Sequence, residues 1–270
     1  MVWWYDQYTT WMKIIGMEKK MNKKFWFVLI LAALMLASCS TISNLGIGGE
    51  SVEEEMELQE IKAVPTAAVV SESVYYRDEL EEDSTKDWGL RVISGLEKQL
   101  LWSQMDGKIR LRTLPPNDLN VHFFNKHNNY EDVIVQAEVE NFGPIDQAFS
   151  VSCRATEHGW YEFRISSSGY YELLRFDQYL KDEGKNAYTN LLEKRFNSTL
   201  IDAGLDKNVF SLSCVGSTIS GFINGEQLYV KKRPIAVEDD TYKEGTIGFG
   251  ILGYGESLDM TFNWVEAVKP

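Results

Sequence analysis

The sequence predicts an all-β domain, a two-sheet antiparallel sandwich that runs from Val74 to the end of the chain. Apolar and polar residues alternate with a period of two, as in Val133–Glu140, and turn residues such as Asn224-Gly225 separate the alternating runs. Helical periodicity is nearly absent, with Tyr188–Arg195 as a candidate for one or two helical turns. About ten short strands at this spacing are typical of a sandwich or barrel.

The alternation predicts the strands in order along the chain. Val133–Glu140 has an apolar face and an acidic face, and Ser167-Ser168-Gly169 separates two aromatic runs. Asn224-Gly225 is a strong hairpin signal between two further strands. The predicted strands are residues 133–140, 149–154, 160–166, 170–175, 210–214, 219–223, 227–230, 246–251 and 258–268.

A short basic head, an apolar stretch and a cysteine lie near the start of the sequence. Met21–Lys24 precedes residues 25–35, which are apolar and lead into Leu36-Ala37-Ser38-Cys39. The apolar stretch is too short to span a bilayer comfortably and is typical of a secretion signal. The last four residues resemble the processing box of bacterial lipoproteins, which implies cleavage before Cys39 and lipid attached to it. The alternative is an uncleaved signal anchor with an incidental cysteine.

The remaining N-terminal residues divide by composition. Residues 1–20 have the character of a mistaken upstream start, so we assign the signal peptide to residues 21–38. Residues 39–73 contain the run Glu53-Glu54-Glu55 and no aromatic residue, which predicts a flexible acidic tether before a domain over residues 74–270. Several acyl chains on Cys39 would hold the protein in a membrane, so we expect it in the cell envelope, facing outside the cytoplasm.

The charge of the chain excludes two classes of partner. Removing residues 1–38 takes away 5 basic and 2 acidic residues and changes the net charge from −13 to −16. Nucleic acids and anionic membrane surfaces both need a basic footprint. We therefore expect no nucleic acid as a partner, and contact with the membrane only through the lipid.

Several motifs after Val74 resemble the concanavalin A-like lectin and glucanase domains, together with laminin G-like and 3-keto-disaccharide hydrolase-like domains. Tyr76–Leu80 before Trp88 resembles the acidic opening of such domains. The other matching runs are the hairpins at 149–154, 160–166 and 169–171, the ribbon at 214–219 and 222–225, and the closing strands at 245–249 and 262–265. The resemblance implies a jelly-roll β-sandwich of two antiparallel sheets. Its motifs are structural, so they imply the fold and not an activity.

Catalytic and metal-binding patterns are weak. Glycosidases with this type of sandwich resemble one another in a Glu-x-Asp-x-Glu strand, whose three acids share one face. Glu138 and Glu140 lie two apart on one strand, but Gln136 and Phe142 occupy the positions where the third acid would be. No Gly-x-Ser-x-Gly elbow or zinc spacing accompanies the three histidines. We therefore assign no catalytic residue and no metal ligand. Calcium is kept as an option, because Glu238-Asp239-Asp240 offers oxygen ligands and the resembled folds often hold calcium.

The cysteines that remain after Cys39 are Cys153 and Cys214, and both fall on the inward parity of their predicted strands. After export such a pair could form a disulfide bond. Two buried thiols that act as small apolar side chains would fit the pattern equally. The sequence does not fix the distance between their Cα atoms, so both alternatives stay open.

The outward side of the predicted strands combines acids, guanidinium groups and an aromatic ring. Planar polar groups beside an exposed ring are the means by which proteins bind sugars. We expect the ligand face to contain Trp160, Glu138, Glu140, Glu162, Arg164 and Arg154. The preferred function is a lipid-anchored domain that binds an extracellular ligand, a glycan above others, without catalysis. The alternatives are a glycoside or 3-keto-glycoside hydrolase, and a structural or adhesion module of the envelope.

Overall fold

The computed structural model describes residues 74–270 except 82–83, 105, 116–117, 145, 203, 205 and 231. The predicted upstream start, the signal peptide, Cys39 and the tether lie outside the described residues. All described residues belong to the unit that spans 62–270. Within them, no helix is both long and apolar enough to cross a bilayer.

The domain consists of two large antiparallel sheets and a small two-stranded one, so the predicted all-β sandwich is confirmed. Sheet A has the order β14-β13-β12-β6-β19-β4-β3, with β1 also paired to β19 and β17 to β13. Its strands are β1 (Val74–Asp78), β3 (Leu100–Gln104), β4 (Ile109–Thr113), β6 (Val133–Asn141), β12 (Lys207–Val215), β13 (Thr218–Ile223), β14 (Glu226–Gln227), β17 (Val237–Glu238) and β19 (Asp259–Val268).

Sheet B has the order β10-β9-β8-β7-β18-β5-β2, with β11 also paired to β9. Its strands are β2 (Trp88–Ser94), β5 (Asn120–Asn125), β7 (Ala148–Ala155), β8 (Gly159–Ser166), β9 (Tyr170–Asp177), β10 (Tyr188–Asn190), β11 (Phe196–Asn197) and β18 (Thr246–Leu252). The small sheet pairs β15 (Tyr229–Val230) with β16 (Arg233–Pro234).

Helical structure is short. Two single-turn 3-10 helices cover Ser84–Asp87 and Glu97–Gln99, and one α-helix, α1, covers Gln178–Asp182. Asp177 caps α1, since its carboxylate accepts a hydrogen bond from the backbone N–H of Leu180. The helical turns predicted for 188–195 are wrong, because Tyr188–Asn190 pairs instead with β9 as β10.

The inner faces of the two sheets enclose one core. Tyr161, Phe163 and Ile165 of β8 point into it from sheet B, and Phe210 and Leu212 of β12 point into it from sheet A. Every second residue of β8 therefore faces the core, as the alternation in the sequence predicted. The residues between them lie on the outer face of sheet B.

Cys153 and Cys214 form a disulfide bond, with their Cα atoms 6.6 Å apart. Cys153 lies on β7 of sheet B and Cys214 on β12 of sheet A, so the bond crosses the core and joins the two sheets. Of the two alternatives that the sequence left open, the structure has the bonded one.

Candidate functional site

The predicted ligand face is divided between opposite sides of the sandwich. Glu138 and Glu140 lie on β6 in sheet A, whereas Trp160, Glu162 and Arg164 lie on β8 in sheet B. The prediction that these strands combine their outward residues in one face is therefore wrong. Strand order decides this, because β6 pairs with β12 and β19 while β8 pairs with β7 and β9.

Glu138 and Glu140 form part of a solvated face of cross-strand pairs. The Lys207 ammonium lies 3.8 Å from the Glu138 carboxylate and 4.0 Å from that of Glu140, and Lys108 lies 3.6 Å from Glu140. Asn263 also donates a hydrogen bond to Glu138. Acids and amines on neighbouring strands account for this surface without a ligand.

Arg154 is buried and has a structural role, so the prediction that it faces solvent is wrong. Its backbone has a positive φ of 50°, and its side chain is buried beneath neighbouring loops. The guanidinium donates hydrogen bonds to the backbone carbonyls of Glu131 at 2.8 Å and Tyr242 at 3.2 Å. It also donates to the Asp132 carboxylate at 3.4 Å. Arg154 therefore holds two loops against the end of β7.

Trp160 points to the outer face of sheet B, as the parity predicted, but none of it is exposed (0 %). The Phe176 ring stacks on it with centroids 3.9 Å apart, and the rings of His122 and Phe124 each lie 5.0 Å away. The Arg91 guanidinium covers it at 5.2 Å. The expectation that Trp160 presents its ring to solvent is wrong, because aromatic side chains of β5 and β9 cover it.

These contacts form a second, smaller apolar cluster on the outside of sheet B. It is built from Ala155, Trp160, Phe176 and Ala187, with Ile93, Phe124 and Tyr188 packed around them. Glycines on β18 leave the space for it. A Cβ atom at Gly248 would come within 2.5 Å of the Phe124 ring, and one at Gly250 within 2.7 Å of His122 Nδ1. The aromatic rings of β5 can therefore lie across β18 towards Trp160.

Glu162 is the centre of a buried polar network beside this cluster. Its carboxylate accepts hydrogen bonds from Arg164 Nε at 2.8 Å and from Trp160 Nε1 at 3.3 Å, and it lies 3.5 Å from His122 Nε2. Burial alone would raise the pKa of Glu162, but the charge of Arg164 and the hydrogen bonds outweigh it and lower this pKa. Glu162 therefore stays ionised and holds Arg164 in a fixed position.

His122 is the other titratable group of the network, and sequence reasoning missed it. Burial lowers the pKa of His122 to about 4, although the neighbouring Glu162 carboxylate acts in the opposite direction. Its position on β5, where Val121 and Phe123 face the core, was the one signal that could have placed it on this face.

We expect the stability of the domain to fall as the pH falls from 6.5 to 4. The pKa of His122 is 6.5 when exposed and about 4 in the fold, so in this window the unfolded chain binds the additional proton. One pKa unit corresponds to ~1.36 kcal/mol, so the free energy of unfolding should decrease by about 3 kcal/mol between pH 6.5 and pH 4. Glu162, whose pKa is lowered, also contributes to the free energy of unfolding. This contribution is present above the ordinary pKa of a glutamate and is lost as the pH falls below it.

Urea unfolding at a series of pH values measures this decrease. His122→Phe should remove most of the slope between pH 6.5 and 4, while His158→Gln, at an exposed histidine, should leave it unchanged. An unchanged slope in His122→Phe would contradict the assignment.

Polar groups of the network reach the surface at one end of sheet B. Arg164, whose side chain is 11 % exposed, forms the floor of a shallow depression there. Its walls include Tyr170, Glu172, Arg195 and Tyr254. The cavity volume is ≈ 10 Å³, about enough for one water-sized group. We call this surface the arginine–tyrosine depression.

The groups of the depression are held in place by their neighbours. Arg164 lies over the Tyr188 ring at 4.5 Å, and the Tyr188 hydroxyl accepts a hydrogen bond from Asn120 at 3.0 Å. The Arg195 guanidinium lies over the Tyr170 ring at 4.5 Å. Glu172 accepts a hydrogen bond from Asn190 at 3.2 Å. Donors, an acceptor and aromatic rings therefore meet at one shallow surface.

Three buried polar atoms in or beside the network have no hydrogen-bond partner among the described residues. They are His122 Nδ1, Arg164 Nη2 and the Oγ atom of Ser152, which lies opposite Glu162 on β7. Unpaired buried groups are costly and are common at functional sites. Arg164 is the one of the three residues that also lines the depression.

The loop considered for calcium uses its carboxylates within the protein. Asp239 accepts hydrogen bonds from the Tyr161 hydroxyl at 2.6 Å and from Arg175 at 2.5 Å, and Glu238 accepts one from Thr218 at 2.8 Å. Within the residues that the structure describes, no three His, Cys, Asp or Glu side chains are grouped so that they could hold a metal ion.

The sequence matches no protein-family model and no curated protein sequence. Solved structures share the fold. A protein of unknown function with a galectin-like fold from Bacillus subtilis has a TM-score of 0.50 at 15 % identity, over 74 % of this chain and 99 % of that one. A structure of endo-acting O-glycanases of the human gut microbiota has a TM-score of 0.50 at 11 % identity, over 73 % of this chain and 100 % of that one.

A carbohydrate-binding module from Bacillus subtilis, CBM66, has a TM-score of 0.45 at 12 % identity, over 64 % of this chain and 91 % of that one. At these identities the similarities concern the fold. The two structures with a TM-score of 0.50 agree with the jelly-roll β-sandwich that the sequence predicted.

Proposed function

We propose that the domain binds a glycan at the arginine–tyrosine depression without cleaving it, and that lipid on Cys39 anchors the protein in the cell envelope. The observation that supports the binding site is the position of Arg164, which the buried Glu162 carboxylate fixes at the floor of a depression with tyrosines on its walls. The guanidinium is planar and remains charged, so it can donate paired hydrogen bonds to the hydroxyls of one sugar.

The remaining groups of the depression complement a sugar ring. Arg195 supplies further donors, Glu172 supplies an acceptor, and the half-exposed ring of Tyr254 supplies an apolar face. Arg164 and Arg195 are balanced by Glu162 and Glu172, so the site carries little net charge. A neutral sugar fits this balance better than an anionic one.

The carboxylates favour binding over hydrolysis. Two-carboxylate glycosidases need both groups at the scissile bond, about 5–9 Å apart, and a general acid with a raised pKa. Of the two acids on this part of the outer face, only Glu172 lines the depression, and the pKa of Glu162 is lowered. The depression is also much shallower than the usual enzyme cleft.

A glycan array with the full chain tests the binding proposal. We expect binding to glycans with a neutral terminal sugar, and at least a tenfold loss of affinity in Arg195→Ala and in Tyr254→Ala. Both side chains reach solvent, so the free energy of unfolding should change little. Tyr229→Ala, at an exposed tyrosine on β15, is the matched control. Unchanged affinity in both variants would contradict the site, and release of reducing ends from a bound glycan would contradict binding without hydrolysis.

The lipid anchor has a separate test. Cys39→Ala should release the protein from membranes or block processing of the signal peptide, because lipid attachment needs the thiol. Mass spectrometry that finds an unmodified Cys39 on a membrane-bound, processed chain would contradict the anchor. This result would leave the binding proposal unaffected.

A further inference from the structure

A cleft that borders the core lies between β2 and β3, away from the arginine–tyrosine depression. Its cavity volume is ≈ 240 Å³. The described residues that line it are Thr85, Trp88, Leu90, Glu97, Trp102, Ile109 and Phe123. Five of these seven are apolar or aromatic, so the cleft is an opening into the hydrophobic core.

Two inward-facing side chains are exposed at this opening. Trp102 of β3 pairs across the strands with Leu111, a core residue, yet it is 50 % exposed. Leu90 of β2 pairs with Phe123, another core residue, yet it is 36 % exposed. Residues directly opposite each other in a sheet point to the same face. The inner faces of both sheets therefore extend beyond the point where the sheets cover each other.

The strands that border the cleft are the edges of their sheets. Among the described residues, β2 pairs only with β5, and β3 pairs only with β4. Within that part of the chain, each strand therefore has a free edge of backbone N–H and C=O groups beside the apolar cleft. An extended peptide can use both features, because its backbone continues the ladder while alternate side chains enter the cleft. Sugars and lipids lack the repeating backbone amides that continue a ladder.

Charge indicates what kind of peptide fits. Glu97 is the one charged side chain among the described residues that line the cleft, and it forms no ion pair within that part of the chain. The whole chain has a net charge of −13, which attracts basic partners. A lysine or arginine side chain would place its aliphatic stem between Leu90 and Trp102 and its charge near Glu97.

We propose that this cleft binds an extended, basic segment of a partner protein. The segment pairs with the free edge of β3 and inserts a lysine or arginine side chain beside Trp102. This binding site is separate from the arginine–tyrosine depression, so a glycan and a protein partner can bind at the same time.

A dye-labelled peptide of four Val-Lys repeats is the probe, with the full chain and fluorescence anisotropy as the readout. We expect it to bind at least tenfold more tightly than a peptide of four Val-Glu repeats. Trp102→Ala should weaken binding at least tenfold and Glu97→Gln severalfold. Tyr229→Ala and Glu183→Gln, an exposed aromatic residue and an exposed acid elsewhere, are the matched controls and should bind as the original chain does.

Two further measurements separate strand pairing from simple attraction of charges. N-methylation at alternate peptide positions removes backbone donors and keeps the lysines, so it should weaken binding at least tenfold. Circular dichroism should show that Trp102→Ala is folded, since its ring is half exposed. The proposal is overturned if Trp102→Ala or the methylated peptide binds normally. It is also overturned if the cleft proves to be closed by a second copy of the chain or by the chain's own residues before Val74, either of which would protect Trp102→Cys from maleimide.

Discussion

Glu162→Ala is expected to lower the free energy of unfolding by about 3–5 kcal/mol, because it leaves Arg164 buried without its partner. The carboxylate accepts hydrogen bonds from both Arg164 and Trp160, so its removal leaves two donors unpaired. Urea unfolding at pH 7 measures the loss. Binding at the arginine–tyrosine depression should weaken as well, since Arg164 would no longer be fixed at its floor.

A double-mutant cycle separates the pair from its surroundings. The variant Glu162→Leu/Arg164→Met removes both charges, so its loss of stability should be smaller than the sum of the losses of the two single variants. Glu183→Ala is the control, because Glu183 and Lys185 form an exposed pair at 2.6 Å and such pairs often contribute nothing measurable. Additive losses in the cycle would show that Glu162 and Arg164 do not stabilise each other.

The sequence predicts the second half of the fold better than the first. Strands β6 to β9 were found from their alternation, because one face of each faces the core and the other has many polar side chains. Strands β2 and β3 were missed because they are edge strands, and their exposed leucines and tryptophan hide the period of two. β5 was missed for the opposite reason, since side chains on both of its faces are buried.

The candidate site could also be predicted only in part. The pleat of a strand fixes which side chains share a face, so the outward direction of Trp160, Glu162 and Arg164 could be predicted. Their burial could not, because it depends on the rings of Phe124 and Phe176, which lie on other strands. Strand order also separates Glu138 and Glu140 from them, and single-strand alternation contains no information about order.

Trp160→Ala is expected to cost about 3–5 kcal/mol, as much as Phe163→Ala on the inner face of the same strand. An exposed sugar-binding ring would cost far less on truncation, but Trp160 is fully buried and stacks on Phe176. Its indole N–H also donates to Glu162, so the variant disturbs the support of Arg164. Urea unfolding of the two variants, with Tyr229→Ala as an exposed aromatic control, measures the comparison.

The result also decides how a binding defect in Trp160→Ala should be interpreted. Because Trp160 lies beneath other side chains, a loss of glycan binding should follow from displacement of Arg164 and should be accompanied by the loss of stability. Trp160→Phe retains most of the ring packing and removes the indole donor, so it should be more stable than Trp160→Ala and still bind more weakly than the original chain. Full stability in Trp160→Ala together with abolished binding would instead show that the ring contacts the ligand directly, which its burial in the structure contradicts.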